Sequence, residues 1–355
     1  MGLIRFLLAC FVVIFHASPY WRFLPMPGDL SVQCFYIISG FYMALILNEK
    51  YTGRKSTWTF YSNRVLKIYP IYFVLLLVLV AWAALVRYKS YPGTFDFYSE
   101  YWPLPLTTLL YLLFVNLFLM GIDTVFYLGI NPNGTLYFTK NINLNQPYVV
   151  QFAFNPYAWT IGVELLFYLI APLIVRKKIW VPLLLIALSL FTRIYLASIG
   201  LNFSPWNYMF FPNQLMFFMG GVISYHLYRA FKQNPPSKWR SVMVFLLFIM
   251  IITFYSQIPG NAYYKQALLF CFEVAAIPYA FILTKGVKAD RYIGNLSFPI
   301  YLSQALVLKI VVAKSFPKII SHGFTTLAIT IGLSILLHHF IAQPIERYRQ
   351  RRIAS

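Results

Sequence analysis

Apolar stretches long enough to cross roughly 30 Å of hydrocarbon as helices recur along almost the whole chain, and this feature limits the fold most. They fall at 3–18, 32–48, 66–86, 159–175, 179–198, 208–228, 241–257, 265–284, 295–313 and 321–342, with a further apolar stretch near 104–130. Alternation of apolar and polar residues is nowhere sustained, so the backbone groups are expected to be satisfied inside helices and not in a closed barrel. Of 355 residues 60% are apolar and 11% charged, a balance that no water-soluble globule of this length could bury. Disorder, collagen, coiled coil and a disulfide-stapled secreted fold are excluded by the same balance. The expected class is an all-α polytopic membrane protein of about ten transmembrane helices plus one re-entrant or interfacial segment, forming a single domain over 1–355.

The 29 Lys and Arg outnumber the 9 Asp and Glu, for a formal charge of +20. In a soluble chain that excess would suggest nucleic acid; in a polytopic one the positive-inside rule accounts for it, and no nucleic-acid partner is expected. Basic clusters follow the second span (Lys50, Arg54, Lys55, Arg64, Lys67), the fourth (Arg176, Lys177, Lys178), the sixth (Arg229, Lys232, Lys238, Arg240) and the eighth (Lys285, Lys288, Arg291). Arg347, Arg349, Arg351 and Arg352 close the series. Ten crossings with both termini inside place all of them in the cytoplasm. One more crossing would turn the Arg176 cluster outward, so 104–130 is expected to enter from the outer side without crossing. Asn131, Pro132, Asn133 and Gly134 read as a turn after it, leading into an outer loop that reaches Asn155. The first span holds Arg5 and His16 and matches a cleavable signal peptide poorly, so it is expected to remain. Cys10, Cys34 and Cys271 lie in apolar stretches without metal-ligand spacing and read as buried small hydrophobes.

A charge inside hydrocarbon costs on the order of 2.5–3.5 kcal/mol, so each such residue is a functional candidate. They are Arg5, His16, Glu164, Arg193, Glu273, His338 and His339. Arg5 and Arg193 lie near span ends, where snorkelling alone would explain them. Arg5 and His16, eleven steps of about 100° apart, project from one helix face about 16 Å apart along the axis. One stripe thus offers a fixed cation near the cytoplasm and an imidazole near the opposite side; the plainer alternative is a histidine satisfied by a neighbouring helix. Arg64 and Lys67, three apart, share a face that suits a phosphate-rich ligand, Arg by its fork and Lys as a point charge, unless they are ordinary flanking charge. Glu164 needs either a proton or a partner. Its neighbours Trp159, Phe167 and Tyr168 read as packing, while Trp21, Tyr91, Trp102 and Trp206 in the outer loops suit either sugar stacking or an interfacial belt.

The ordered motifs resemble the acyltransferase-3 family of integral membrane enzymes. LIRFLLACFVVIFHAS resembles its opening Arg, ten residues, His; FYIISGFYMA, with Ser39, Gly40 and Phe41, its Phe-rich Ser-Gly-Phe segment. NRVLKIYP is similar to its paired-Arg motif with Lys67 in the second place. WTIGVELLFYLIAP resembles the Trp, Glu, Phe-Tyr-Leu, Pro signature through Trp159, Glu164, Phe167, Tyr168 and Pro172. IGNLSFPIYLSQ is similar to a Gly, Ser, Tyr-Leu segment, with Gln304 where His is common, and QPIERYR to the closing Glu-and-Pro element. The set runs from residue 3 to about residue 348, leaving no room for the esterase-like domain that some members carry.

The resemblance implies an acyl-CoA donor, acetyl-CoA first, on the cytoplasmic side. It implies no metal, and as acceptor a carbohydrate hydroxyl on the far side, in O-antigen, exopolysaccharide or another surface glycan. His16 then reads as the base, with Glu164 fixing it or the acceptor hydroxyl. Arg64 and Lys67 would hold the donor phosphates, and Arg5 the pantetheine arm or a phosphate. Direct transfer and prior acylation of His16 both fit. A secondary transporter or a polysaccharide export subunit is the competing class; no inverted repeat is perceptible, and an export subunit leaves the Arg5 and His16 stripe unexplained.

Overall fold

The computed structural model describes residues 1–18, 25–52, 56–88, 94–142, 147–313 and 322–354. In order the helices are α1 (Gly2–Ala17), α2 (Gly28–Glu49), α3 (Ser56–Tyr88), α4 (Thr94–Glu100), α5 (Leu106–Phe118), α6 (Trp159–Ile174) and α7 (Trp180–Ser198). They continue with α8 (Phe211–Gln233), α9 (Lys238–Phe254), α10 (Ala262–Thr284), α11 (Lys288–Ala313), α12 (His322–Leu337) and α13 (Gln343–Ala354). Prolines open α2 (Pro27), α5 (Pro105) and α8 (Pro212), where the missing N–H would have had no helical partner. The start of α1 is held from another helix, since Asp290 of α11 accepts from the backbone N–H groups of Gly2 at 2.7 Å and Leu3 at 2.9 Å.

Among the described residues eight helices are long and apolar enough to cross a membrane, and the chain is a multi-pass membrane protein. With α1, of 16 residues, and α8, of 23, they account for the ten expected spans. α8 is too polar to stand among the eight because Asn213, Gln214 and Ser224 face inward, buried. It packs along α2 without spacers: a Cβ on Gly40 would lie 1.9 Å from the carbonyl oxygen of Phe218, and one on Gly221 1.9 Å from that of Ile37. Leu77 on α3, Phe191 on α7, Met243 on α9 and Leu268 on α10 are exposed, as lipid-facing positions require.

Side-chain pairs fix the relative direction of the helices. Tyr36 of α2 meets Thr160, Ser39 meets Glu164 and Asn48 meets Val175, so α2 and α6 run parallel. Arg5 meets Ser297 and His16 meets Gln304, so α1 and α11 also run parallel. For α6 to run parallel to α2, an odd number of crossings must lie between them; α3 is one, and α5 cannot be a second by itself. α5 has 13 residues, about 20 Å, and its end rests on the middle of α3, where Tyr69 and Tyr72 donate to the carbonyls of Phe118 and Asn116. The expected non-crossing segment is therefore this short helix, and its parity is that of the ten-span arrangement.

The same pairs bring the basic helix ends to one face. Lys232 at the end of α8 bonds Glu49 at the end of α2 at 2.7 Å, and Arg176 after α6 donates to the carbonyls of Leu47 and Tyr51. Arg352 near the end of α13 donates to Ser62 and Asn63 at the start of α3.

Three details depart from the sequence reading. Leu128–Ile130 (β1) and Leu136–Phe138 (β2) form an antiparallel ribbon with Leu128 opposite Phe138, closed by the expected turn, in which Gly134 has φ 78°. Cys271 is exposed on α10, unlike buried Cys10 and Cys34, because its helix face looks outward. Helix α12 does not stop at 342 but passes through a π-helical turn, His338–Ala342, into α13.

Candidate functional site

α1 presents Arg5 and His16 to the same neighbour, as the shared-face spacing predicts. Arg5 Nη2 donates to Ser297 Oγ at 2.9 Å, and its guanidinium stands 5.9 Å from the Tyr42 ring centre. His16 Nδ1 lies 3.2 Å from Gln304 Oε1, and the imidazole leans on Tyr157 with ring centres 4.3 Å apart. With Gln304 Oε1 accepting from Nδ1–H, the Nε2 lone pair is the basic position. Gln304 is wholly buried and its residue type does not titrate, so it orients the ring without competing for the proton.

Glu164 does not meet His16, which corrects one of its two expected roles. Its Oε1 accepts from Ser39 Oγ at 2.5 Å and from the hydroxyl of Tyr168, one turn along α6. Two hydroxyl donors on one oxygen are the local compensation that a carboxylate inside a span needs. Tyr168, read as packing, belongs to this site, and its ring lies 5.7 Å from the Arg64 guanidinium. Phe167 and Trp159 are packing, stacked on Phe218 at 4.2 Å and edge-on to Tyr208 at 4.9 Å respectively.

The remaining predicted cations gather nearer the basic face. Arg64 is buried, its guanidinium 5.5 Å from the Phe60 ring centre and 5.7 Å from that of Tyr168, and its Nε has no hydrogen-bond partner among the described residues. Lys67, one turn on, interacts electrostatically with Arg64, Arg5, Arg349 and Glu164, so the three cations expected to bind a ligand occupy one neighbourhood. Among the described residues none of Arg5, Arg64 and Lys67 forms an ion pair. Cations this poorly compensated suit an anionic ligand, and the guanidinium forks suit phosphate oxygens.

Sequence reasoning missed Gln304, Ser297, Ser39 and Tyr157 as partners, and it filed Arg349 with the surface charges. The one available signal was the set of Ser, Gln and Tyr residues recurring on apolar helices; the pairings themselves span up to 292 positions and leave no local trace. Other intramembrane candidates have structural settings. Arg193 donates to the Asn207 carbonyl at 2.6 Å, Glu273 is buried beside Cys34, and His338 packs edge-on to Tyr292 at 5.3 Å. Trp206 is buried and donates to the Lys140 carbonyl at 2.8 Å, so it is not an open stacking platform, whereas Trp102 is exposed. Trp21, Tyr91, Arg54 and Lys55 lie outside the described residues. Among the described residues no three His, Cys, Asp or Glu side chains converge as metal ligands.

Comparison with known proteins adds an independent line. The family model described as "Acyltransferase domain" matches residues 1–339. Proteins of Staphylococcus aureus strains COL and MW2, each named "Putative O-acetyltransferase", are 23% identical over 371 residues, covering 95% of this chain and 55% of theirs. The chain therefore spans about half the length of these curated relatives. An uncharacterized protein of Aquifex aeolicus strain VF5 is 25% identical over 206 residues, 55% of this chain and 89% of its own length. No solved structure matches the chain.

Proposed function

Because the chain belongs to the acyltransferase-3 family, whose domain model covers residues 1–339, we propose that it moves an acyl group across the plane of a plasma membrane. The donor is cytoplasmic acyl-CoA, acetyl-CoA first. The acceptor is a hydroxyl of an extracytoplasmic or lipid-linked carbohydrate such as O-antigen or exopolysaccharide. The basic face is cytoplasmic on this reading, with both chain ends on that side.

The carrying observation is the α1 stripe: Arg5 near the basic face in the neighbourhood of Arg64 and Lys67, none of them ion-paired among the described residues, and His16 near the other end, oriented by Gln304. Arg64 and Lys67 hold the donor phosphates, Arg5 steadies the arm that follows, and the thioester reaches His16 from below. His16 Nε2 takes the acceptor hydroxyl proton as that oxygen bonds to the thioester carbonyl carbon. The carbon–sulfur bond then breaks and the proton passes to the leaving sulfur. Glu164, held by Ser39 and Tyr168, is left to orient the acceptor hydroxyl.

The test is acceptor-dependent release of free thiol from acetyl-CoA by membranes containing the chain, alongside mass spectrometry of surface glycans with and without the gene. Thiol release and loss of glycan acetyl groups on deletion are expected. Solute counterflow in proteoliposomes without thiol release would replace the enzyme with a transporter.

A further inference from the structure

We propose that α13 forms part of the anion site, with the buried Arg349 joining Arg64 and Lys67, and that together they hold a diphosphate ester. The assignment to the donor rests on the acyl-CoA reading above; the anion site itself does not. Arg349 lies beyond residue 339, where the family match ends.

The π-helical turn His338–Ala342 adds a residue to one helical turn and so sets the rotational phase at which α13 emerges. That phase is pinned on α3, because Arg352 donates to Asn63 Oδ1 at 3.1 Å and Ser62 Oγ at 2.9 Å, immediately before Arg64. One turn earlier on α13, Arg349 is 5% exposed and within electrostatic reach of Arg64. Its Nη1 donates to Glu346 Oε2 at 2.5 Å, while its Nε has no partner among the described residues. Among the described residues Lys67 feels one carboxylate, Glu164, against three cations, and Arg349 feels Glu346 against Arg64. Two buried guanidiniums, each with an orphaned Nε among the described residues, are costly unless an anion completes them. Two forks and an ammonium match two adjacent phosphates better than one. Coenzyme A carries such a pair, and so does an isoprenyl diphosphate.

The full chain in nanodiscs is titrated with coenzyme A, inorganic pyrophosphate, an isoprenyl diphosphate and, as the phosphate-free control, pantetheine. Coenzyme A and pyrophosphate are expected to bind and pantetheine to leave them undisplaced. Arg349→Gln should weaken pyrophosphate and coenzyme A binding at least tenfold and Arg349→Lys less. Glu346→Gln, which removes a competing negative charge, should tighten it. Opposite signs for the two glutamine variants separate ligand contact from a salt bridge that merely holds the helix. Equal weakening by both, or unchanged binding by Arg349→Gln, overturns the proposal. Should Arg349→Gln fail to fold, Arg349→Lys and Glu346→Gln give the same two signs. Arg349-dependent binding of pyrophosphate or isoprenyl diphosphate without coenzyme A keeps the anion site and removes the acyl-CoA donor from it.

Discussion

His16 Nδ1 and Gln304 Oε1 face each other at 3.2 Å between two parallel helices, α1 and α11. The pairing spends one ring nitrogen on orientation and leaves the other for chemistry. A histidine at position 304 could do the same only by taking a particular tautomer itself; glutamine carries no titrating proton at any pH.

Replacing His16 with Ala is expected to lower acyl transfer by roughly 10²–10⁴-fold, the usual contribution of a positioned base, without changing membrane insertion. Gln304→Ala should reduce turnover by about tenfold or more while leaving the apparent donor KM in place, since it frees the ring and not the phosphates. Steady-state thiol release measures both, and near-normal transfer by His16→Ala would remove His16 from the mechanism.

The double variant Arg64→Ala with Lys67→Ala removes two cations from the donor end. Hydrogen bonds to charged groups contribute about 1.5–3 kcal/mol each, so the apparent donor affinity should fall by at least about tenfold. Its salt dependence should flatten as well. An unchanged donor KM across a salt series would count against the phosphate role.

Gly40→Ala and Gly221→Ala each place a methyl group 1.9 Å from a backbone oxygen of the facing helix, which no rotamer change relieves. Each should destabilise the chain by about 1–3 kcal/mol, as overpacking does, and lower the thermal unfolding temperature in detergent. Gly332→Ala, with nothing near its Cβ position, serves as the neutral control.

Asp123 lies in the short 3-10 turn after α5, outside the spanning helices, and burial pushes its carboxyl up to about 6. The folded chain therefore holds that proton more tightly than the unfolded one, and stability should fall as pH rises from about 4 to about 6. Asp123→Asn should remove this slope and, at pH 8, gain up to about 3 kcal/mol over the parent. Melting curves at pH 4 and pH 8 check it; an equal effect at both would refute the titration.

Single cysteines in a background lacking Cys10, Cys34 and Cys271 test the orientation. Lys178→Cys and Lys288→Cys, at the basic face, should resist an impermeant thiol reagent in intact cells and react in inverted vesicles. Asn133→Cys, at the tip of the ribbon, should show the reverse.

Hydrophobic spans were readable because a helix in lipid must declare itself over a contiguous run of residues. The Arg5 and His16 stripe was readable because both belong to one helix, whose period fixes their angle. Gln304, Ser39 and Tyr168 were not readable as partners, since an apolar helix carrying Ser, Gln or Tyr gives no sign of which face meets which neighbour. Helix α13 was missed for a related reason: its charges satisfy the same compositional rule as any cytoplasmic tail, and a π-helical turn has no reliable sequence mark. The ribbon at Leu128–Ile130 and Leu136–Phe138 is too short for alternation to stand out.

Parallel pairing of α1 with α11 also bears on biogenesis. His16 is translated 288 residues before Gln304, and at about 5–20 residues per second the wait is roughly fifteen seconds to a minute. Through that interval a nascent helix carrying a guanidinium and an imidazole must be sheltered, by the insertion machinery or by hairpin contact with α2. Variants that weaken α1 should therefore be cleared by quality-control proteases during assembly, before the loss of any activity could be measured.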